Sequence, residues 1–209
     1  MSAADELIER IRRRLLPVPE AAEVTATLAP DWTPEGGFPG PPRDAAVLVP
    51  IVRRGEALSV LYTERSRDLR SHSGQIAFPG GKIDATDVGP GAAALREAQE
   101  EVALDPKDAE VLGYLPAYFT GSNFLITPVV ALVRPQHDFV PNPGEVQSVF
   151  EVPLSLLMDE GSFGTFRVRR KDVEHSTWQI VHDGLVIWGI TANLTRRFYE
   201  LGLRDEAGT

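Results

Sequence analysis

Apolar and polar residues alternate along the chain in patterns that predict β-strands and a few amphipathic helices. Residues 45–52 are almost continuously apolar, and residues 57–63 follow across a short charged turn, which predicts a hairpin of buried strands. Further strands are predicted at residues 109–115, 126–133, 146–152, 163–168, 177–181 and 185–188. A final helix is predicted at residues 191–201. The pattern therefore predicts an α/β protein with a mixed sheet and helices on its faces.

The sequence of the N-terminal region predicts an amphipathic helix at residues 5–16, followed by an irregular arm. Leu7, Ile8, Ile11 and Leu15 share one face of this helix, and arginines are concentrated toward its end. Such a helix either packs on its own domain or contacts an anionic surface. Proline, glycine and alanine dominate residues 17–42, so we expect residues 1–42 to form a helix and arm that pack on a core domain of residues 43–209.

The segment Arg96-Glu97-Ala98-Gln99-Glu100-Glu101 gathers three carboxylates at helical spacing. In a helix, side chains three and four positions apart lie on one face, so the three glutamates would lie side by side. One interpretation is a solvated acidic surface. The other is a site for a hard divalent cation, Mg²⁺ or Mn²⁺, because these ions prefer oxygen ligands.

The segment Phe78-Pro79-Gly80-Gly81 precedes the acidic helix and favours the metal interpretation. Gly80 and Gly81 allow a close approach of the backbone to a ligand, and Pro90 stands where a helix tolerates proline, at its start. Strand, glycine turn, loop and acidic helix therefore follow one another. A phosphate chain could lie along this loop while the helix carboxylates hold the ion.

These residues resemble the Nudix box of the Nudix hydrolases. Gly81 begins the match, and Arg96, Glu97, Glu100 and Glu101 complete it. The resemblance implies an α/β/α sandwich and a metal-dependent pyrophosphatase. It makes Glu97 and Glu101 the principal metal ligands with Glu100 in support, and it gives Arg96 a bracing role.

Two departures from the box concern its first acid and the end of its helix. Asp87 stands in place of glutamate, one residue further from Arg96 than the pattern requires, which leaves its role open. Ala103 replaces the usual glycine, which predicts that the end of the helix has less need for a left-handed cap.

Residues 61–81 resemble a second motif, that of the coenzyme A pyrophosphatases within the Nudix superfamily. The residues in register are Thr63, Arg65, Ser66, Arg70, Gly74, Phe78, Pro79, Gly80 and Gly81. This resemblance implies cleavage of coenzyme A or its acyl derivatives into 3′,5′-ADP and 4′-phosphopantetheine or its acyl form. We expect Arg65 and Arg70 to contact phosphate, because guanidinium groups match phosphate oxygens in two-point contacts.

Two rival functions differ in substrate or in kind. One is a Nudix pyrophosphatase for ADP-ribose, NADH or a nucleoside triphosphate. The other is a non-catalytic nucleotide-binding regulator, which the intact set of glutamates disfavours. The general base is either a glutamate of the box or Glu145, which lies in a predicted loop at residues 142–146.

Composition and net charge limit the classes of partner that the protein is expected to bind. The net charge is −9, which disfavours nucleic acid and membrane surfaces as partners. An acidic protein with a small nucleotide as substrate needs a cation between them. Cysteine is absent, which excludes disulfides and thiolate chemistry. No apolar run suggests a signal peptide or membrane span, so a cytoplasmic location is expected, and a homodimer is left open.

Overall fold

The computed structural model describes residues 2–17, 40–69, 73–170 and 173–204. Its helices are α1 (Ala3–Arg14), α2 (Pro90–Val102), α3 (Leu154–Leu157) and α4 (Ile190–Phe198). Its strands are β1 (Arg43–Arg54), β2 (Ala57–Arg65), β3 (Ile76–Ala77), β4 (Gly80–Lys82), β5 (Ala109–Tyr114), β6 (Tyr118–Phe119), β7 (Phe124–Val133), β8 (Val146–Pro153), β9 (Phe163–Arg170), β10 (Val173–His182) and β11 (Leu185–Trp188). None of these helices is long and apolar enough to cross a membrane.

The central sheet is mixed, and helices cover both of its faces. Its main path runs β3-β2-β1-β7-β5, with β4 paired to β1, β6 to β7 and β8 to β2. β1 and β7 are parallel, whereas the other pairs in this sheet are antiparallel. Helix α2 packs on one face, and α1 and α4 pack on the other. The predicted α/β fold with a mixed central sheet is confirmed.

Strand β1 shows why the sequence forms this layered structure. Val49 and Ile51 pack into the core shared with α1 and α4, whereas Ala46 and Leu48 pack against α2. All four side chains are fully buried. A strand covered on both faces needs apolar residues at consecutive positions, and this accounts for the unbroken apolar run.

A second, smaller sheet was not foreseen from the sequence. Strands β9, β10 and β11 pair antiparallel and form a sheet of their own, against which α4 packs. The predicted strands at residues 163–168 and 177–181 pair as a hairpin within it. Alternation identified the strands but carried no information about which sheet each would join.

Helix α1 lies against the central sheet and begins two residues before the predicted position. The Ser2 side chain accepts a hydrogen bond from the Asp5 N–H, and the Asp5 carboxylate accepts one from the Ser2 N–H, which forms a capping box. Ile8 and Ile11 are buried in the core. The helix therefore packs on its own protein. Most of the predicted arm lies outside the described residues, and the boundary at residue 42 stays a prediction.

The capping box gives a testable dependence of stability on pH. Hydrogen bonds from the Ser2 N–H and from Arg53, whose guanidinium lies 2.6 Å from the carboxylate, lower the pKa of Asp5 to about 2. A lowered pKa stabilises the fold above the ordinary value near 3.8, and this contribution disappears as the pH falls toward 2. Asp5→Asn keeps the cap but loses the charge, so its Tm should be lower than that of the parent protein at pH 6. The difference should shrink steadily between pH 4 and pH 2.5 in thermal scans; a constant difference would contradict it.

The end of α2 corrects a prediction from the sequence. Ala103 adopts the left-handed conformation, with φ 55° and ψ 31°, although the absence of glycine predicted less need for such a cap. The Ala103 N–H donates to the Gln99 carbonyl, which is the bond of the αL capping motif, and the Leu104 N–H donates to the Ala98 carbonyl. Burial of Leu104 in the core under α2 accompanies the turn and offsets its strain.

Replacing this alanine should stabilise the protein. Ala103 is exposed, so removal of its methyl group costs little packing, and glycine adopts the left-handed conformation without steric penalty. We expect Ala103→Gly to raise the free energy of unfolding by about 1 kcal/mol. Ala3→Gly, at an exposed helical position, should lower the same quantity by up to about 1 kcal/mol. Urea denaturation of both variants checks the opposite signs, and a loss of stability at position 103 would refute the assignment of strain.

Candidate active site

Two glycines bring β4 into contact with β1 and with α2. A Cβ atom at Gly80 would overlap the Ala46 carbonyl and the Val47 backbone, and a Cβ atom at Gly81 would overlap the carboxylate of Glu97. The Gly80 N–H donates to Glu101 Oε2 at 3.3 Å. The absence of side chains at both positions therefore creates the space in which the helix carboxylates lie beside the strand.

Arg96 organises the acidic residues around it. Its Nε and Nη2 donate to the two oxygens of Asp87, both at 3.1 Å, which is a bidentate contact. Its Nη1 donates to Glu97 at 2.9 Å and to Glu100 at 3.3 Å, and Nη2 also reaches the Lys82 carbonyl. The guanidinium thus links the loop before α2, strand β4 and the helix itself. This placement agrees with the predicted bracing role.

Asp87 is a site residue whose role the sequence left open. Its side chain is only 6% exposed although it lies in a loop. Hydrogen bonds from Arg96 and then from the Asp84 N–H lower the pKa of Asp87 and keep it ionised. Its position as the first acid of the box was the available signal, but the extra residue in the spacing obscured it. In three dimensions the loop absorbs that residue and still delivers the carboxylate to Arg96.

Glu101 is buried, contrary to the prediction that all three glutamates share a polar surface. The residue is 4% exposed and lies near Val102 and Ala98 on the packed side of α2. Burial raises the pKa of Glu101 to about 7, and repulsion by Glu97 and Glu145 adds to the effect. The Gly80 N–H and the charge of Arg65 oppose it. A buried carboxyl held by one backbone donor is suited to binding a cation.

Glu97 and Glu100 occupy different environments on the same helix. Burial raises the pKa of Glu97, and the charges of Glu100 and Glu145 raise it further, while Arg96 acts in the opposite direction. The side chain of Glu97 is 16% exposed, whereas that of Glu100 is 53% exposed and extends toward solvent. Of the three glutamates, Glu97 and Glu101 are therefore the two that are partly or fully withdrawn from water.

Glu145 lies within electrostatic range of both of these carboxylates. It contributes to the raised pKa of Glu97 and of Glu101, although it is exposed on its own loop. The loop is fixed at both sides, because the Asn142 N–H donates to the Glu101 carbonyl and the Ser66 N–H donates to the Glu145 carbonyl. The predicted candidate base is thus held on a loop tied to the end of α2, within electrostatic range of two predicted metal ligands.

Arg65 lies at the end of β2, close enough to Glu101 to lower its pKa. Its backbone is held by Gln75 and Gly74. Within the part of the chain that the structure describes, the buried Arg65 Nε has no hydrogen-bond acceptor. A buried guanidinium nitrogen without an acceptor is suited to an anionic ligand. Arg70, the other predicted phosphate contact, lies outside the described residues.

The side chains present fit a divalent cation, although they are not yet gathered as its ligands. Among the described residues, no three His, Asp or Glu side chains already surround a common point. The carboxylate of Glu97 is held by Arg96 at 2.9 Å, and Glu101 lies one helical turn further along α2. Oxygen donors on Glu97, Glu101 and Glu145 that repel one another are the chemistry that Mg²⁺ or Mn²⁺ requires.

Comparison with known proteins identifies the class to which this site belongs. The NUDIX domain family matches residues 41–178. A protein of Citrobacter koseri named uncharacterized Nudix hydrolase NudL is 42% identical over 163 residues, which are 78% of this chain and 84% of the relative. The protein of the same name from Salmonella paratyphi B is 44% identical over 154 residues, or 74% and 80% of the two chains.

Two solved structures are also similar in outline. A Caenorhabditis elegans Ap4A hydrolase gives a TM-score of 0.45 at 19% identity over 54% of this chain and 81% of the other. The Deinococcus radiodurans protein DR0079 gives 0.49 at 15% identity over 78% and 88%. The chain belongs to the Nudix family. It is a Nudix hydrolase of the pyrophosphate bond in a nucleoside diphosphate derivative, and enzymes of this family generally use divalent metal ions.

Proposed function

We propose that this Nudix hydrolase cleaves the pyrophosphate bond of coenzyme A or of its acyl derivatives, with Mg²⁺ or Mn²⁺ as cofactor. The observation that carries the proposal is the position of Arg65. This residue belongs to the segment that resembles the coenzyme A pyrophosphatase motif, its charge lowers the pKa of Glu101, and its buried Nε has no acceptor among the described residues. A pyrophosphate oxygen would satisfy that donor.

Each residue of the site has its own role in the proposed reaction. Glu97 and Glu101 would hold the ion, with Glu100 in support at the solvent side. The cation would neutralise pyrophosphate charge and raise the acidity of water near it. Arg96, anchored by Asp87, orients Glu97. The backbone of Gly80 and Gly81 would shape the metal and phosphate site, and Arg65 and Arg70 would bind the oxygens of the diphosphate. A box glutamate or Glu145 would accept the proton of the attacking water.

The test is a product analysis on the purified chain. Coenzyme A with Mg²⁺ or Mn²⁺ should give equal amounts of 3′,5′-ADP and 4′-phosphopantetheine by chromatography. ADP-ribose, NADH and nucleoside triphosphates form the competing panel. No turnover of coenzyme A or its acyl forms with either ion would refute the proposal, and so would a higher kcat/KM for any member of the panel.

A pair of arginine variants tests the contribution of Arg65. Arg65→Ala should lower kcat/KM for coenzyme A by about a hundredfold, since a charged hydrogen bond to phosphate contributes about 1.5–3 kcal/mol. Arg67→Ala is the matched control. The Arg67 side chain is 75% exposed, and its ionic contact is with Glu64, 3.7 Å away. Its kcat/KM should stay within about twofold of the parent value. Equal effects of the two substitutions would remove Arg65 from the site.

A further inference from the structure

A pocket of about 370 Å³ opens between α4, β6 and the small sheet, away from the glutamates of α2. We call it the α4 pocket. Among the residues that line it are Tyr118, Ser176, Trp178, Asn193, Arg196 and Arg197. Aromatic rings, hydroxyl groups, an amide and two guanidinium groups therefore meet in one concavity. None of these residues belongs to the Nudix box or to the motif before it.

Asn193 fixes one wall of the α4 pocket. Its Oδ1 accepts hydrogen bonds from Thr177 Oγ1 at 2.8 Å and from the Trp178 N–H at 3.2 Å. Its Nδ2 donates to the Tyr118 hydroxyl at 3.0 Å. One side chain thus joins α4 to β10 and to β6. The pocket is therefore built by defined contacts between three elements, which is typical of a preformed ligand site.

The charged residues that line the α4 pocket are two arginines, Arg196 and Arg197, and one carboxylate, Glu200. Arg196 is buried against Trp178 and is neutralised by Glu160 and Glu200, each at 2.7 Å. Arg197 lies with its guanidinium carbon 5.1 Å from the centre of the Tyr118 ring, and its charge adds to the wall. Arg167 is directly opposite Ser176 in the register of β9 and β10, so both project from the same face of the small sheet.

The register of the central sheet relates this pocket to the active site. Tyr118 pairs with Ile126, Ile126 pairs with Ala45, and Ala45 pairs with Lys82, which follows Gly81. Three strand spacings of about 4.8 Å therefore separate Tyr118 from the glycine strand by roughly 14 Å. At the start of α4, the Thr191 hydroxyl donates to the Ile76 carbonyl, so α4 is anchored to β3, the strand that precedes β4.

We propose that the α4 pocket binds a second phosphate group of the substrate, a phosphate monoester on the nucleoside end, remote from the bond that is cleaved. Arg197 would contact the phosphate oxygens, with the hydroxyl of Ser176 as a further donor. The ring of Trp178 would contact the attached ribose and base. This inference rests on the proposed function, because it takes the substrate to carry a phosphate outside its diphosphate. It adds a determinant that distinguishes such a substrate from one without that phosphate.

Binding without turnover separates this inference from the proposed function. Adenosine 3′,5′-bisphosphate and 5′-AMP are titrated into the full chain in EDTA by isothermal calorimetry. Arg197→Gln should weaken binding of the bisphosphate at least tenfold and that of 5′-AMP less than threefold. Arg134→Gln, a half-exposed arginine paired with Glu110 elsewhere on the surface, should change neither more than twofold.

A second variant tests the pocket independently, in case Arg197→Gln disturbs folding. Ser176 is exposed, so Ser176→Asp adds a negative charge at the pocket mouth without disturbing the core, and it too should weaken bisphosphate binding at least tenfold. Unchanged bisphosphate affinity in both variants overturns the pocket as a phosphate site. Tight bisphosphate binding that depends on Arg197, in a protein that fails to cleave coenzyme A, would refute the proposed substrate but uphold the pocket.

Discussion

Glu97→Gln is expected to lower kcat by about a thousandfold, equivalent to about 4 kcal/mol of transition-state stabilisation. The substitution preserves size and hydrogen bonding but removes one negative charge from a partly buried position beside Glu101. An ion held by two such carboxylates would lose half of its charged protein ligands, and a neutral amide binds Mg²⁺ or Mn²⁺ poorly. Product chromatography measures the rate, and electron paramagnetic resonance of Mn²⁺ measures the affinity for the ion.

Glu100→Gln is the matched control on the same helix. The Glu100 side chain is 53% exposed and makes a longer contact with Arg96 than Glu97 does. Its replacement should lower kcat less than about tenfold, because an exposed carboxylate contributes little to binding a dication. If Glu97→Gln left both turnover and Mn²⁺ affinity unchanged, the assignment of Glu97 as a ligand would be wrong. Equal losses at positions 97 and 100 would show that only the total charge of the helix matters.

Gly81→Ala should be the second most damaging single change. A Cβ atom at this position would overlap all three carboxyl atoms of Glu97, so either the side chain or α2 has to move. A displacement of about 1 Å in a catalytic group can cost about a hundredfold in rate, and we expect a loss of that size. The substitution adds one methyl group at a partly exposed position, so Tm should fall by only a few degrees. Steady-state kinetics and thermal scans of the variant check both expectations.

Two comparisons locate the effect of Gly81→Ala at the contact with Glu97. Gly40→Ala, where an added Cβ atom meets no neighbour within 4 Å, should leave activity unchanged. In the Glu97→Gln background, Gly81→Ala should cost less than about threefold, since the two substitutions disturb the same contact and their effects are not additive. Full additivity, or an equal loss at Gly40, would mean that the glycine acts elsewhere.

The motifs identified the site because their spacing within one helix is a local property. Glu97, Glu100 and Glu101 lie in α2 as predicted, and Arg96 donates hydrogen bonds to Glu97 and Glu100. Periodicity did not reveal that Glu101 would be buried. Its Cα position lies at the edge between the polar and apolar faces, and only the closeness of β4, with the Gly80 N–H directed at its carboxylate, places it inside.

The contact between Asp87 and Arg96 is a second feature that the sequence did not predict. Nine positions separate it from Arg96, and the path of the intervening loop decides whether the two meet. Loop conformation depends on contacts that the spacing of residues does not encode, such as the hydrogen bond from the Asp84 N–H to the Asp87 carboxylate. The sequence shows that an acidic residue precedes the helix, but only the folded loop brings its carboxylate into contact with Arg96.

From the sequence alone follow the α/β class, the buried strands β1, β2 and β7, and the acidic helix, whereas the predicted glycine turn is strand β4, paired with β1. These depend on the alternation of apolar residues and on local backbone preferences, which act over a few positions. Only the tertiary structure separates the small sheet from the central one, places Arg65 and Glu145 around Glu101, and forms the α4 pocket from three distant segments. Strand pairing and long-range contacts are chosen by the burial of whole elements, and that choice is made only when the chain folds as a unit.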